Sequence, residues 1–206
     1  MISNVLKPPY RAATLDDTPA MAELVNIAGE GLPHYLWANM ADEKISPWDI
    51  GQQRARRESG AFSYRNTVIH EVGSRVVAAL IGYPLPVEPQ VDRFDDLPQM
   101  FVPLQQLEDL VPATWYINAL ATYSEHRGKG YGTELLSIAG QLAAQQACRG
   151  LSLIVSDANS GALRLYERLG FEAIDSRPML KDSWENPGKH WVLLARMRRV
   201  GEQATT

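Results

Sequence analysis

Apolar and polar residues follow two periods along this chain, and the switches between the periods lay out its elements. Residues 10–13 form a short strand-like run, after which Met21, Leu24, Val25 and Ala28 recur on one helical stripe. Asp16 or Asp17 is placed to cap that helix, and Gly29 and Gly31 to end it. Residues 32–40 are aromatic and helical in pattern, and Pro47 suits the first turn of a helix running to about residue 58. Residues 64–71 and 75–82 read as antiparallel strands joined at Gly73-Ser74. Residues 115–122 are a strand, and residues 130–147 a helix in which Tyr131, Leu135, Ile138 and Leu142 recur at spacings of four, three and four. The apolar run 151–156, bounded by Gly150 and Asp157, suits a strand buried on both faces. A helix over 159–169 closed by Gly170, and strands over 171–177 and 191–197 around Asn186-Pro187-Gly188, complete the pattern.

Between residues 84 and 114 the periodicity fails. Pro84, Pro86, Pro89, Pro98, Pro103 and Pro112 break every run except a short helix near 104–110. Phe94, Leu97, Met100, Phe101, Val102 and Leu104 are spread through the segment, which predicts a packed flap inserted in one domain rather than a linker between two. The expected organisation is a single domain over 1–206 with this insertion at about 84–114 and a short tail at 199–206. No internal repeat is seen.

Composition narrows the class. The 206 residues are 45% hydrophobic and 21% charged, as expected of a globular chain able to bury a core. A net charge of -4 argues against a nucleic-acid or anionic-membrane partner. Arg54, Arg56 and Arg57 cluster, but with Glu58 beside them they read as a solvated helix face. The single cysteine, Cys148, excludes an internal disulfide, falls late in a predicted helix and has no zinc-spaced companions, so no metal is expected. Pro8 and Pro9 stand where a signal peptide would carry its apolar run, and no stretch reaches membrane-spanning length, so the expected location is cytoplasmic.

The chemistry is concentrated in His126-Arg127-Gly128-Lys129-Gly130-Tyr131-Gly132-Thr133, between the strand at 115–122 and the helix that follows. Alternating glycines let the backbone approach an anion closely, and N–H groups opening a helix offer unpaired donors at the positive end of its dipole. Arg127 and Lys129 add charge there, so the segment reads as a pyrophosphate cradle. A dinucleotide fingerprint is out of register, because its third glycine would fall at Thr133. A Walker loop is excluded because Lys129 is followed by Gly130 and Tyr131, and a kinase loop because its downstream signatures are missing. What remains, Arg-x-x-Gly-x-Gly from Arg127 to Gly132, resembles motif A of the GNAT superfamily of acetyl-CoA dependent N-acetyltransferases.

A second segment agrees. Asn159, Ala162, Tyr166, Gly170 and Phe171 resemble Asn-x-x-Ala-x-x-x-Tyr-x-x-x-Gly-Phe of motif B in the same superfamily. Asn159, Ala162 and Tyr166 lie at i, i+3 and i+7 on one helical face, with a small residue between two polar ones. Taken singly, Asn159 reads as a helix N-cap and Tyr166 as a core aromatic. The resemblance implies an α/β (α+β) GNAT fold: a mixed, mostly antiparallel twisted sheet of about seven strands flanked by helices, splayed at its two central parallel strands. It also implies acetyl-CoA as cofactor, with coenzyme A released as product. The insertion at 84–114 departs from the tight hairpin usual in that fold.

By the same resemblance, backbone N–H groups of Leu120, Ala121 and Thr122 would bond the pantetheine arm, residues 127–133 the pyrophosphate, and Tyr166 would act as general acid. The strand before motif A offers Tyr116 and Asn118 where many members carry a glutamate, which leaves the base open. Glu30, His34, Tyr35 and Trp37 fall in the segment lining the acceptor side of this fold, so Glu30, His34, Trp37 and Asn118 are the candidate acceptor contacts. A small-molecule amine is the favoured acceptor. In the rival reading the aromatics only pack the helix layer and the insertion forms a homodimer contact.

Overall fold

In the computed structural model, which describes residues 6–88 and 98–198, the strand-like runs become β1 (Tyr10–Ala12), β2 (Thr67–Val72), β3 (Arg75–Pro84), β4 (Trp115–Thr122), β5 (Gly150–Ser156), β6 (Glu172–Pro178) and β7 (His190–Met197). The helical runs become α1 (Thr18–Ala28), α2 (Leu32–Ala38), α3 (Pro47–Ala55), α4 (Val102–Glu108), α5 (Tyr131–Gln145) and α6 (Ser160–Arg168). The strands form one seven-stranded sheet in the order β1-β2-β3-β4-β5-β7-β6. β4 and β5 are parallel, while β1/β2, β2/β3, β5/β7 and β6/β7 are antiparallel. The parallel register runs from Trp115↔Leu151 to Ile117↔Leu153, and both strands continue past it. This is the expected mixed, mostly antiparallel sheet. Phe94, Leu97, Pro89 and the tail at 199–206 lie outside the described residues.

The chain divides into two compact units, one built from the chain up to Tyr83 with Asn118–Ala139, the other from Pro84–Ile117 with Gly140 onward. In the first, Met21 and Leu24 of α1 are fully buried against Ile69 of β2 and Ala79 of β3, with Ala13, Ala55 and Ala121 around them. Burying such side chains contributes about 1.5–3 kcal/mol each. The β2–β3 hairpin turns at Gly73 (φ +55°) and Ser74 (φ +63°), the paired left-handed geometry that a two-residue hairpin demands. Residues 64–66 are not strand as the pattern predicts: Ser63 Oγ accepts from Arg65 N at 3.2 Å and winds Tyr64–Asn66 into a 3-10 turn. In α3, Ser46 and Asp49 form a capping box that the pattern did not single out.

Asp17 does not cap α1 with its side chain. Its carboxylate instead accepts from Thr14 N at 2.7 Å and takes Arg11 through both guanidinium nitrogens at 2.7 and 2.8 Å, while Arg11 Nε reaches Glu71 at 2.8 Å. Asp17 is 6% exposed. Its burial opposes ionisation, but the bonds from Arg11 and Thr14 outweigh that and hold its pKa below the ordinary carboxylate value. The stability it contributes is therefore full above the unfolded pKa near 4 and is lost as pH falls through the lower folded value. Asp17→Ala is expected to destabilise by about 1–2 kcal/mol at pH 7, because it removes the bonds from Arg11, which keeps Glu71, and the bond from Thr14 N. Urea unfolding at pH 7 and pH 3 checks both size and sign: the deficit should shrink at pH 3.

In the second unit β5 is buried along nearly its whole length, as its unbroken apolar run predicts. Gly150 lies so close to β7 that a Cβ there would stand 2.4 Å from Arg196 O, so no other residue fits without moving backbone. Thr114 and Ser152 hydroxyls bond at 2.6 Å and satisfy each other in the core. The described part of the insertion is a 3-10 turn at Gln99–Phe101 leading into α4, which lies against β5, β6 and β7. Met100, Leu107 and Val111 are buried there. The insertion's described part is thus a helical cover for its own unit's strands. Cys148 lies past the end of α5 rather than inside it, is buried, and burial pushes its thiol pKa up.

Candidate active site

β4 sets the first part of the candidate site. Its residues alternate, so that Ala119 and Ala121 are buried, Leu120 and Thr122 are half-buried and Asn118 is exposed on the opposite face. Tyr123 N donates to Val77 O at 3.0 Å, and the chain leaves the sheet through a 3-10 turn at Ser124–His126. Arg127 Nε then reaches back to Thr122 O at 3.2 Å, tying the loop to the strand end.

From Arg127 onward the loop is glycine-rich and open. Gly128 (φ +76°) and Gly130 (φ +88°) take left-handed conformations that suit glycine, and residues 127–130 are exposed. The first helical bond of α5 runs from Glu134 N to Gly130 O at 3.1 Å, so the N–H groups of Tyr131, Gly132 and Thr133 stand ahead of the helix's own ladder. The Lys129 ammonium lies 3.4 Å from His126 Nδ1. Open donors, a positive dipole end and two cations therefore coincide, and the glycines are uncrowded: a Cβ on Gly128 would meet nothing within 4 Å, and one on Gly130 only the Glu134 carboxylate at 3.9 Å. The residues fit a diphosphate.

The motif B helix, in the other unit, shows both of its single-residue readings. Asn159 is the N-cap of α6, its Oδ1 accepting from Ala162 N at 3.1 Å. Tyr166 is 7% exposed and packs on Phe171 with ring centroids 5.6 Å apart. Among the described residues no group hydrogen-bonds its hydroxyl. Burial pushes its pKa well above that of a free phenol, so the group stays protonated throughout the neutral range.

The acceptor-side candidates are placed unevenly. Trp37 is 3% exposed in a cluster with Ala22, Val25, Ile50, Ile81 and Ala119, and Gly51 makes room for its ring. It packs the helix layer, as the rival reading has it. His34 is half-buried, with its ring 4.8 Å from that of Trp48. Glu30 is half-buried at φ +52°, in the left-handed turn between α1 and α2.

A group behind the cradle escaped the sequence reading. His70 of β2 is paired with Tyr10 of β1, their rings 4.6 Å apart, and its ring lies 4.0 Å edge-on from Tyr131 at the start of α5. Tyr10 donates its hydroxyl to Glu134. Burial holds the His70 pKa below its ordinary value, with Glu134 opposing and His126 assisting. Nothing local marks these residues, because 60 positions or more separate Tyr10 from each partner.

A mixed sheet with parallel neighbours at its centre and an open glycine loop leading into a helix define an α/β protein whose helix N-terminus is open to an anion. More particularly, the chain belongs to the acetyltransferase (GNAT) family, whose model matches residues 34–171. Over 60 residues it is 38% identical to the uncharacterized N-acetyltransferase YycN of Bacillus subtilis (strain 168), a match covering 29% of this chain and 38% of that relative's length. Among solved structures it is similar to an acetyltransferase at TM-score 0.67 and 21% identity, covering 91% of this chain and 98% of the other. An N-acetyltransferase from Staphylococcus aureus Mu50 aligns at TM-score 0.60 and 20% identity, covering 91% and 99%. These structures share the fold. Among the described residues no helix is long and apolar enough to cross a membrane, and no cluster of His, Cys, Asp and Glu suits a metal ion.

Proposed function

We propose that this protein is an acetyl-CoA dependent N-acetyltransferase that moves the acetyl group to a primary amine, with a small-molecule amine as the favoured acceptor. The observation that carries the reading is the loop at 127–133, where exposed glycines, two cations and the free N–H groups of α5 meet. Gly128, Gly130 and the N–H groups of Tyr131, Gly132 and Thr133 hold the pyrophosphate, with Arg127 and Lys129 supplying charge. Backbone N–H groups of Leu120, Ala121 and Thr122 bond the pantetheine arm.

The bound thioester supplies an acyl group already activated for attack by an amine. The protein's part is to align the acceptor, withhold water and manage two protons. Tyr166, protonated and with a hydroxyl not engaged by the described residues, donates to the sulfur that leaves. A buried phenol is a weak acid, so its help is a hydrogen bond that strengthens as charge builds on sulfur. An acceptor amine with a pKa near 10.4 must lose a proton before attack. β4 carries Asn118 and no carboxylate on its exposed face, so the reading routes that proton through water, with Glu30 and His34 as the nearest sequence candidates for its final acceptor.

That lack of a carboxylate on β4 favours one alternative, an acyl-CoA-binding module without turnover. Thiol release from acetyl-CoA, measured against a panel of polyamines, amino acids, aminoglycosides and lysine peptides, separates the two. Release that depends on one acceptor class supports the enzyme. Tight acetyl-CoA binding with no release above background on any amine supports the module.

A further inference from the structure

An acid on the first turn of α5 conflicts with the anion site proposed above. Glu134 Oε1 lies 3.9 Å from where a Cβ on Gly130 would stand, so a full negative charge sits beside the loop meant to receive two more. In the empty loop that charge is favourable, because it complements the helix dipole. With a diphosphate bound it is repulsive.

The clasp around Glu134 addresses this conflict. Tyr10 and His70 are cross-strand partners on β1 and β2, with side chains on one face of the sheet. Tyr131 and Glu134 are i and i+3 on α5, stacked on one side of its first turn. The two pairs engage member by member: the His70 ring meets Tyr131, and the Tyr10 hydroxyl bonds Glu134 Oε2. His70 is 2% exposed with Nδ1 unpartnered, so it acts through its ring as a neutral spacer rather than as a charge. The titratable groups facing it are Tyr10, Tyr131, Glu134 and His126.

We propose that Tyr10 is a positioning residue of the pyrophosphate cradle: its hydroxyl holds the Glu134 carboxylate off the open N–H groups of residues 131–133, while His70 fixes the turn that carries both. The inference rests on the acetyl-CoA reading of that loop. Tyr10 touches no reacting atom and acts only through Glu134.

A double-mutant cycle read by calorimetry tests it, with acetyl-CoA as one probe and S-acetylpantetheine, which lacks the pyrophosphate, as the other, and melting temperature recorded throughout. Tyr10→Phe is expected to weaken acetyl-CoA binding about tenfold, the loss typical of a hydrogen bond to a charged group, and to leave S-acetylpantetheine unchanged. Glu134→Gln alone should bind acetyl-CoA as well as the parent or better. Combined with Tyr10→Phe it should restore most of the loss, because no charge remains to be held away. His70→Phe, which keeps a ring against Tyr131, should retain affinity where His70→Ala does not. Unchanged acetyl-CoA affinity in Tyr10→Phe overturns the proposal. So does equal weakening toward both probes, or a double variant as weak as Tyr10→Phe, either of which would mean ordinary packing. If the parent protein itself binds both probes equally, the pyrophosphate reading of the loop fails first and takes this inference with it.

Discussion

Tyr166→Phe is expected to lower turnover by about ten- to ten-thousand-fold while acetyl-CoA affinity stays within a few-fold, since a donor to the leaving sulfur acts mainly in the transition state. The substitution is clean. The ring keeps its contact with Phe171, and no hydrogen bond from the described residues to the hydroxyl is lost. Stability should therefore change little, and melting temperature checks that. The pH profile adds a second readout: burial raises the phenol's pKa, so Tyr166 should contribute no titration to kcat below about pH 10. A Phe variant with full turnover would reduce Tyr166 to a packing residue. Joint loss of affinity and turnover would assign it to placing the cofactor instead.

Gly130→Asp should abolish useful acetyl-CoA affinity, weakening it by at least about a hundredfold, equivalent to roughly 3 kcal/mol. Two costs combine. A side chain at φ +88° is strained by about 1–2 kcal/mol, and a carboxylate at the loop repels the diphosphate. Steric damage is not among them, because the added Cβ would meet only the Glu134 carboxylate, at 3.9 Å. The variant should thus fold with altered binding, and calorimetry with circular dichroism separates these effects. A folded Gly130→Asp protein with unchanged acetyl-CoA affinity would refute the cradle.

Much of this fold was legible because the chain keeps its local signals strong. β4 has the bounds that its pattern predicts, and α5, β5 and α6 differ from theirs by one or two residues, since each carries a clear period and is closed by glycine, a cap or a turn. Legibility failed where a side chain had a better partner elsewhere. Asp17 has the composition of an N-cap, yet Arg11 and Thr14 claim its carboxylate; Tyr64 looks like strand, yet Ser63 winds it into a turn. The site divides in the same way. The glycine loop is contiguous and spells out its geometry, whereas the clasp of Tyr10, His70, Tyr131 and Glu134 is assembled by strand pairing and helix docking from distant positions. Trp37 marks the other limit: its position suits a pocket wall and the helix layer alike, and only the fold shows that it packs in the core.

The packing of α4 changes how acceptor preference should be dissected. Grafting a short hairpin between β3 and β4 would look like the natural way to make this protein resemble members that lack the extra segment. Yet Leu107 is completely buried, and α4 roofs strands β5, β6 and β7. The graft would strip that roof and leave apolar strand surface wet, so the chimaera should fail as an expression and solubility problem before selectivity could be scored. A point change at the exposed Gln106 of α4 keeps the roof in place, so it probes the segment without wetting the strands beneath.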